Sequence, residues 1–458
     1  MAFKFQGESL REIAFPLGGI GTGSVSLAGN GKLIDWQLFN KPNKGSFNGF
    51  SHFAVKAEKD GQVVDARVLH GDELGPFTDM NRKEPPYWFG TPRETLAGLP
   101  HFRDAAFEGR FPEAKVVFGD AAFPGHAELL AFSPFIPLNE DDSGLPAALF
   151  EINIRNTTAE TLRYSACFTV MNPFAYDKTV NRSVDLAQAA GISLTERDDA
   201  DGKELFLSTT GGDGEIGRQN YWYRGIGYDN LERYWRDWSK PGLLPSREYE
   251  SGQGKDLASL MRSADVAPGG TASFRFQLAW YVPYCCNYWS PEPGLEQQTR
   301  WKNYYATQFG SAAEVSSYIW EHWDRLSRET MSFRDALFAS SLPEAALDAV
   351  ASNLAVLKSP TCLRLEDGTQ LPLHCAVADY LADGAQVFVV LARGHRMQHM
   401  GRSARRRRRE RAARIASTPR LTVSVPPSMS VRCCRLVCRG RRRRESRGRP
   451  RWRRRGPG

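Results

Sequence analysis

The basic residues of this 458-residue chain change kind partway along it, and that change limits how much of the chain can form a folded body. The last lysine is Lys358. From Leu391 to Gly458 there are 24 arginines, no lysine and two acids, Glu410 and Glu445, a local net charge of +22. The whole chain holds 60 basic and 52 acidic residues, which leaves 36 and 50 of them in residues 1–390 and a net charge of −14 there. The formal charge of +8 therefore averages an acidic body and a polyarginine tail.

The chain is long enough for two or three domains, and 41% hydrophobic with 11% aromatic residues lets the body bury substantial cores. The N-terminal run from Met1 to Ser9 has no apolar stretch that would serve as a signal peptide. No window of about 18 apolar residues occurs. The nearest, Cys375–Ala392, is broken by Asp379 and Asp383. A soluble, cytoplasmic protein without a transmembrane segment is the expectation. Cys167 sits in an alternating strand pattern, and the adjacent Cys285 and Cys286 have poor geometry for pairing with each other. Cys433, Cys434 and Cys438 lack a matching His or second Cys pair, so free thiols are expected, with no metal site and no cofactor.

Residues 1–290 read mostly as strands. Phe150, Ile152 and Ile154 alternate with polar residues, and Leu162, Tyr164, Ala166 and Phe168 repeat the pattern after Asn156–Glu160. This predicts a hairpin with one buried face. A second hairpin is predicted at Lys59-Asp60-Gly61, between Ser51–Glu58 and Gln62–Leu69. Ala267-Pro268-Gly269-Gly270 turns into Phe274, Phe276, Leu278 and Trp280 at period two. Many short strands with Gly/Pro turns argue for a large β-sandwich.

The period changes after Trp301. Val315, Tyr318, Ile319, His322 and Leu326 follow helical spacing. Ser341-Leu-Pro-Glu344 has the form of a capping box. Leu347, Val350, Leu354 and Leu357 then make one stripe, and Ser359-Pro360 ends the helix. Two helices cannot close a core alone, so they look like the opening of a helical domain.

The glycine run Gly18-Gly-Ile-Gly-Thr-Gly23 fits no nucleotide fingerprint: its third spaced glycine comes one residue early, and Ser24–Leu27 continues as a strand rather than a helix. A tight turn in a β domain is the expectation, and Gly29-Asn-Gly31 reads as a further hairpin turn. His395 and His399 have i,i+4 spacing without the glutamate of a zinc helix. Asn156-Thr-Thr158 and Asn181-Arg-Ser183 match glycosylation sequons. Aromatic clusters at Tyr221–Tyr223, Tyr234-Trp235, Trp238 and Tyr288-Trp289 could stack on sugar rings or pack in a core. Glu140-Asp141-Asp142 is one of several carboxylate groupings, none of which the sequence alone shows facing another across a bond.

Phe15-Pro-Leu-Gly-Gly-Ile-Gly-Thr-Gly-Ser-Val-Ser-Leu27, Asp35-Trp36 and Phe39-Asn-Lys-Pro-Asn-Lys-Gly45 resemble the opening of the non-lysosomal glucosylceramidases, glycoside hydrolase family 116. The resemblance returns in Asn303–Thr307, Phe333–Leu337 and Ser359-Pro-Thr-Cys-Leu-Arg-Leu-Glu-Asp-Gly-Thr369. It implies an N-terminal β-sandwich followed by a C-terminal (α/α)6 barrel, and retaining β-glucosidase activity on glucosylceramide or related β-glucosides. Retaining hydrolysis needs two carboxyl groups roughly 5–5.5 Å apart, and the family supplies both from the barrel, downstream of the Leu-Glu-Asp-Gly-Thr segment. After Thr369 the chain departs from the family pattern, so no catalytic residue is assigned, Glu366 and Asp367 included.

Together these readings give a mainly β chain: a sandwich over 1–290, a linker and the first helices of a truncated barrel over 291–369, and a non-native, mostly disordered Arg-rich tail over 370–458. The tail has three readings: out-of-frame translation of a GC-rich gene, a nucleic-acid-binding arm, or a solvated tail without a partner. The arm lacks interleaved aromatics, with Trp452 alone from residue 391 onward, so no specific nucleic-acid partner is expected. The expected function is that of an N-terminal part of a β-glucosidase, inactive by itself. The alternative is a carbohydrate-binding or interaction sandwich.

Overall fold

A computed structural model describes residues 4–73, 91–210, 214–225, 229–252, 254–287, 294, 299–368 and 370–372. The chain divides into two units, and the second, Arg396–Gly458, lies outside the described residues, as do His395, His399 and the tail cysteines.

The first unit is mainly β. Its larger sheet has nine antiparallel strands in the order Lys4–Gln6, Asp104–Arg110, Glu113–Gly119, Gly125–Phe132, Ala147–Asn156, Thr271–Tyr281, Glu204–Thr210, Ala189–Glu196 and Thr179–Asp185. The smaller has five: Glu215–Gln219, Leu257–Val266, Leu162–Met171, His52–Lys59 and Gln62–Val68. Three further strands, Ala14–Leu17, Ser24–Ala28 and Leu33–Gln37, form a separate small sheet.

Period two puts alternate residues on opposite faces, and here both faces are used. Phe53, Phe150, Phe168 and Phe276 fill the space between the two sheets, with the rings of Phe53 and Phe168 stacked at 4.2 Å. On the back of the nine-stranded sheet, Leu149, Phe206, Ala279 and Tyr281 meet Val315, Ile319, Trp320, Trp323 and Leu326 of a long helix, here α2 (Ala312–Phe338). On the back of the five-stranded sheet, Ala54, Cys167 and Met261 meet Trp222 and the helix α1 (Asn230–Trp238) through Tyr234 and Trp238. The helical stripe predicted at Val315, Ile319 and Leu326 is therefore satisfied by the sandwich itself.

Three sequence expectations need correction. The strands 147–156 and 162–171 do not form a hairpin: the first pairs with 125–132 and 271–281, the second with 52–59 and 257–266. Residues 157–161 are an arch from one sheet to the other; Phe150, Ile152 and Ile154 are buried while Glu151, Asn153 and Arg155 are not, and strand 162–171 is buried along most of its length. The proposed cap at Ser341 is also absent. The helix α3 runs from Glu344 to Ala355 with Pro343 at its N-cap in an extended conformation and no side-chain cap. The residue before a proline is held out of the helical region, so Leu342 cannot be helical. A side-chain cap sits instead at Ser311, which accepts from the Glu314 N–H at 3.1 Å, while Glu314 reaches back to the Gly310 N–H, one residue before the cap, at 2.7 Å. Finally, Val350 points outward, 39% exposed, and α3 buries Leu347 and Ala351.

The hairpins at Asp60-Gly61 and Gly29–Gly31 form as expected. A short hairpin pairs Cys362–Arg364 with Gln370–Pro372, so its register continues past Thr369.

Candidate functional site

The glycine run lies where the sandwich meets the helical segment. It links Ala14–Leu17 to Ser24–Ala28 as a turn, in accord with the strand that follows it. Its composition follows from close backbone approach. A Cβ on Gly19 would lie 2.5 Å from the backbone of Gly144, and one on Gly21 would lie 2.6 Å from the Arg364 nitrogen. Gly21 also has φ +79°, a region that side chains disfavour. One side of the run thus packs on the 139–144 turn, where the Ile20 N–H donates to the Ser143 carbonyl at 2.8 Å, and the other on the hairpin strand 362–364.

Two cations fasten this joint. Lys358, at the end of the 3₁₀ turn that continues α3, is 1% exposed. Its ammonium donates to the carbonyls of Gly18, Ser133 and Pro134 at 2.9, 3.1 and 3.0 Å and to the Ser133 hydroxyl at 2.9 Å. Burial pushes its pKa down to about 7. Ser133 Oγ also accepts from the Gly18 N–H at 2.9 Å. The Lys358–Ser133 spacing is that of a base beside a nucleophile, but Ser133 is 1% exposed and no substrate can reach it. The second cation, Arg364, lies 3.5 Å from the centroid of the Tyr304 ring and donates to the Asp141 carboxylate at 2.9 Å and to the Glu140 carbonyl at 3.2 Å.

Glu140-Asp141-Asp142 is therefore a set of anchors. Asp142 accepts from the Tyr318 hydroxyl at 2.8 Å and from Arg325 at 2.7 Å, tying α2 to the same turn that Arg364 holds. Burial alone would raise the Asp142 pKa, but the bonds from Arg325 and Tyr318 outweigh it and hold the carboxyl below its usual range. A carboxylate locked in this way is a poor proton donor or nucleophile. Glu366 and Asp367 are exposed at the hairpin turn, which the Gly368 N–H closes on the Leu365 carbonyl at 2.8 Å.

The cavity beside His52 and His70 has about 10 Å³, room for roughly one water, whereas ligand pockets run to several hundred Å³. Most of the aromatic clusters serve the core. Trp222 stacks on Tyr234 at 4.0 Å, and Tyr221, Trp222, Tyr234 and Trp238 are all buried. Tyr223 is 42% exposed, and Tyr288 and Trp289 lie outside the described residues. Both sequon asparagines, Asn156 and Asn181, are buried with their amides engaged. Cys167, Cys285, Cys286 and Cys362 are free thiols, and burial pushes Cys167 and Cys285 up to about 11. No group of three or more His, Cys, Asp or Glu side chains suited to a metal occurs among the described residues, and none of their helices is long and apolar enough to cross a membrane.

The sequence reading did not single out Lys358, Arg364 or Ser133 as joint residues. The available signal was the position of Lys358 as the last lysine, beside Ser359-Pro360.

Fold and joint together define a β-sandwich domain fastened to the helical segment that follows it. The family described as beta-glucosidase 2, glycosyl-hydrolase family 116, N-terminal, matches residues 14–326, and the chain belongs to that family through this N-terminal domain. Among solved structures, the chain is similar to "Putative kojibiose phosphorylase from human microbiome", with 8% identity over 75% of this chain and 38% of that one and a TM-score of 0.32. It is also similar to a polysaccharide lyase, with 13% identity over 59% and 33% and a TM-score of 0.27. The chain thus spans well under half the length of either structure.

Proposed function

We propose that this chain carries the N-terminal scaffold of a retaining β-glucosidase acting on glucosylceramide-like β-glucosides, and that it performs no hydrolysis itself. The observation that carries the reading is the family match over residues 14–326. In this reading the sandwich spans 1–290, residues 291–369 begin the helical catalytic domain, and residues 370–458 are non-native sequence that replaces the barrel holding both catalytic carboxylates. One observation supports inactivity: the Asp141 and Asp142 carboxylates are held by Arg364 and Arg325 as anchors. The buried free thiols suit a reducing, cytoplasmic setting.

The test is turnover of an aryl β-glucoside by the purified chain beside a mock purification. The expected result is no difference between them, and measurable turnover confined to the purified chain overturns the reading. Glycan recognition by the sandwich loses part of its support, because Tyr221, Trp222, Tyr234 and Trp238 are buried, while Tyr223 stays exposed.

A further inference from the structure

We infer that Lys358 is a latch: a tethered cation that registers α3 and its 3₁₀ extension on the glycine run, and whose withdrawal lets that segment lift from the sandwich while the sandwich stays folded. The inference is independent of any hydrolytic activity.

Two observations carry it. First, apolar burial holds this segment less firmly than the helix before it. Only Leu347 and Ala351 of α3 are buried; Leu354, Ala355 and Leu357 pack half-buried beside Phe111 and Phe135, and Leu342, Val350 and Val356 are 49%, 39% and 51% exposed. The long helix before it, by contrast, buries Val315, Ile319, Trp320, Trp323 and Leu326. Second, the polar ties of this segment to the glycine run and to residues 133–134 are concentrated in one group. Four oxygens surround the Lys358 ammonium at 2.9–3.1 Å, all contributed by Gly18, Ser133 and Pro134. The rings of Phe111 and Phe135, 6.0 and 5.8 Å from the nitrogen, stand beside this cage. Among the described residues, no carboxylate is bonded to Lys358.

Such a cage is self-sufficient only while a cation fills it. Without the ammonium, the carbonyls of Gly18, Ser133 and Pro134 lose their donor inside a dry interior, at a cost that water can relieve only by entering. Water enters most readily by lifting the segment that brought the lysine. Ser133 Oγ couples the latch to the glycine run, because the same oxygen holds the Gly18 N–H.

Hydrogen–deuterium exchange on the full chain tests this. Lys358→Met keeps length and removes charge. Peptides covering 14–24 and 344–361 should exchange at least tenfold faster, with 147–156 and 271–281 unchanged. In Lys358→Ala, propylammonium should restore protection saturably, and tetramethylammonium, too large for the cage, should not. Unchanged exchange in Lys358→Met, or equal rescue by both salts, overturns the latch. If neither variant shows a cooperative urea transition, Ser133→Ala decides. It removes one cage oxygen, and exchange at 14–24 and 344–361 should rise at least threefold; no rise overturns the proposal.

Discussion

Asn156 and Gly270 extend the pairing of strands 147–156 and 271–281 by one position, where both chains pass between the nine-stranded and the five-stranded sheet. The Asn156 N–H donates to the Gly270 carbonyl at 2.9 Å, and the Asn156 carbonyl accepts from the Gly269 N–H at 3.1 Å. The side chain adds bonds to the Glu160 and Val266 carbonyls at 2.7 and 2.8 Å and accepts from the Thr158 N–H at 2.9 Å. Two arches that carry the chain between sheets are thereby joined side by side. Asn156→Ala strips the buried Val266 carbonyl of this donor and loosens the more exposed turn, where the Glu160 carbonyl keeps the Thr158 hydroxyl. We expect a loss of about 1–3 kcal/mol, read as a lower urea midpoint with an unchanged slope. A loss under about 1 kcal/mol would show that the arches hold without this side chain.

The glycine joint gives a paired comparison. Gly21 and Gly61 have similar positive φ, +79° and +73°. A Cβ at Gly61 meets nothing within 4 Å, whereas one at Gly21 meets the Arg364 nitrogen at 2.6 Å. Gly61→Ala should therefore cost only the left-handed penalty of about 1–2 kcal/mol. Gly21→Ala should cost more by about 1–3 kcal/mol, because backbone must shift. Equal urea midpoints for the two variants would contradict close packing as the reason for the glycine run.

What the sequence made legible was local. Alternation at 150–154 and 162–168 located both strands, and helical spacing located α2. Partnering was not legible, because the Asn156–Glu160 turn that suggests a hairpin also suits an arch, and pairing with strands about 100 residues away leaves no local trace. The polar anchors were hidden for the same reason. Asp142 meets Arg325, and Lys358 meets Gly18, across long separations. The start of α3 was misread because Leu342-Pro343 overrides a capping pattern.

Acid should destabilise the sandwich before its carboxylates titrate. His52 is fully buried, and burial pushes its pKa down to about 4 despite the bond to the Phe50 carbonyl. His70, also buried and beside Lys32, is lowered as well. The unfolded chain holds more protons than the folded one between the folded value and the ordinary value near 6.5. Stability is thus complete above about 6.5 and declines as pH falls toward 4. His52 alone accounts for about 3 kcal/mol at most, from roughly 1.36 kcal/mol per unit. Urea midpoints at pH 7.5 and 4.5 should differ, and His52→Gln should reduce the difference. A flat profile over this range would rule out a neutral buried imidazole.

The last prediction separates core from platform within one tripeptide. Trp222 is 2% exposed, stacks on Tyr234 at 4.0 Å with planes 10° apart, and donates from Nε1 to the Ser259 hydroxyl at 2.8 Å. Its neighbour Tyr223 is 42% exposed. If the cluster exists to seat α1 on the five-stranded sheet, Trp222→Ala should cost about 3–5 kcal/mol through the cavity it leaves and the hydroxyl it strands. Tyr223→Ala should stay within about 0.5 kcal/mol, as for a surface position. Calorimetric titration of the full chain with cellobiose should show no binding heat, and Tyr223→Ala should leave that result unchanged. A saturable heat lost on Tyr223→Ala would instead make the exposed ring a sugar platform, and the buried rings its support.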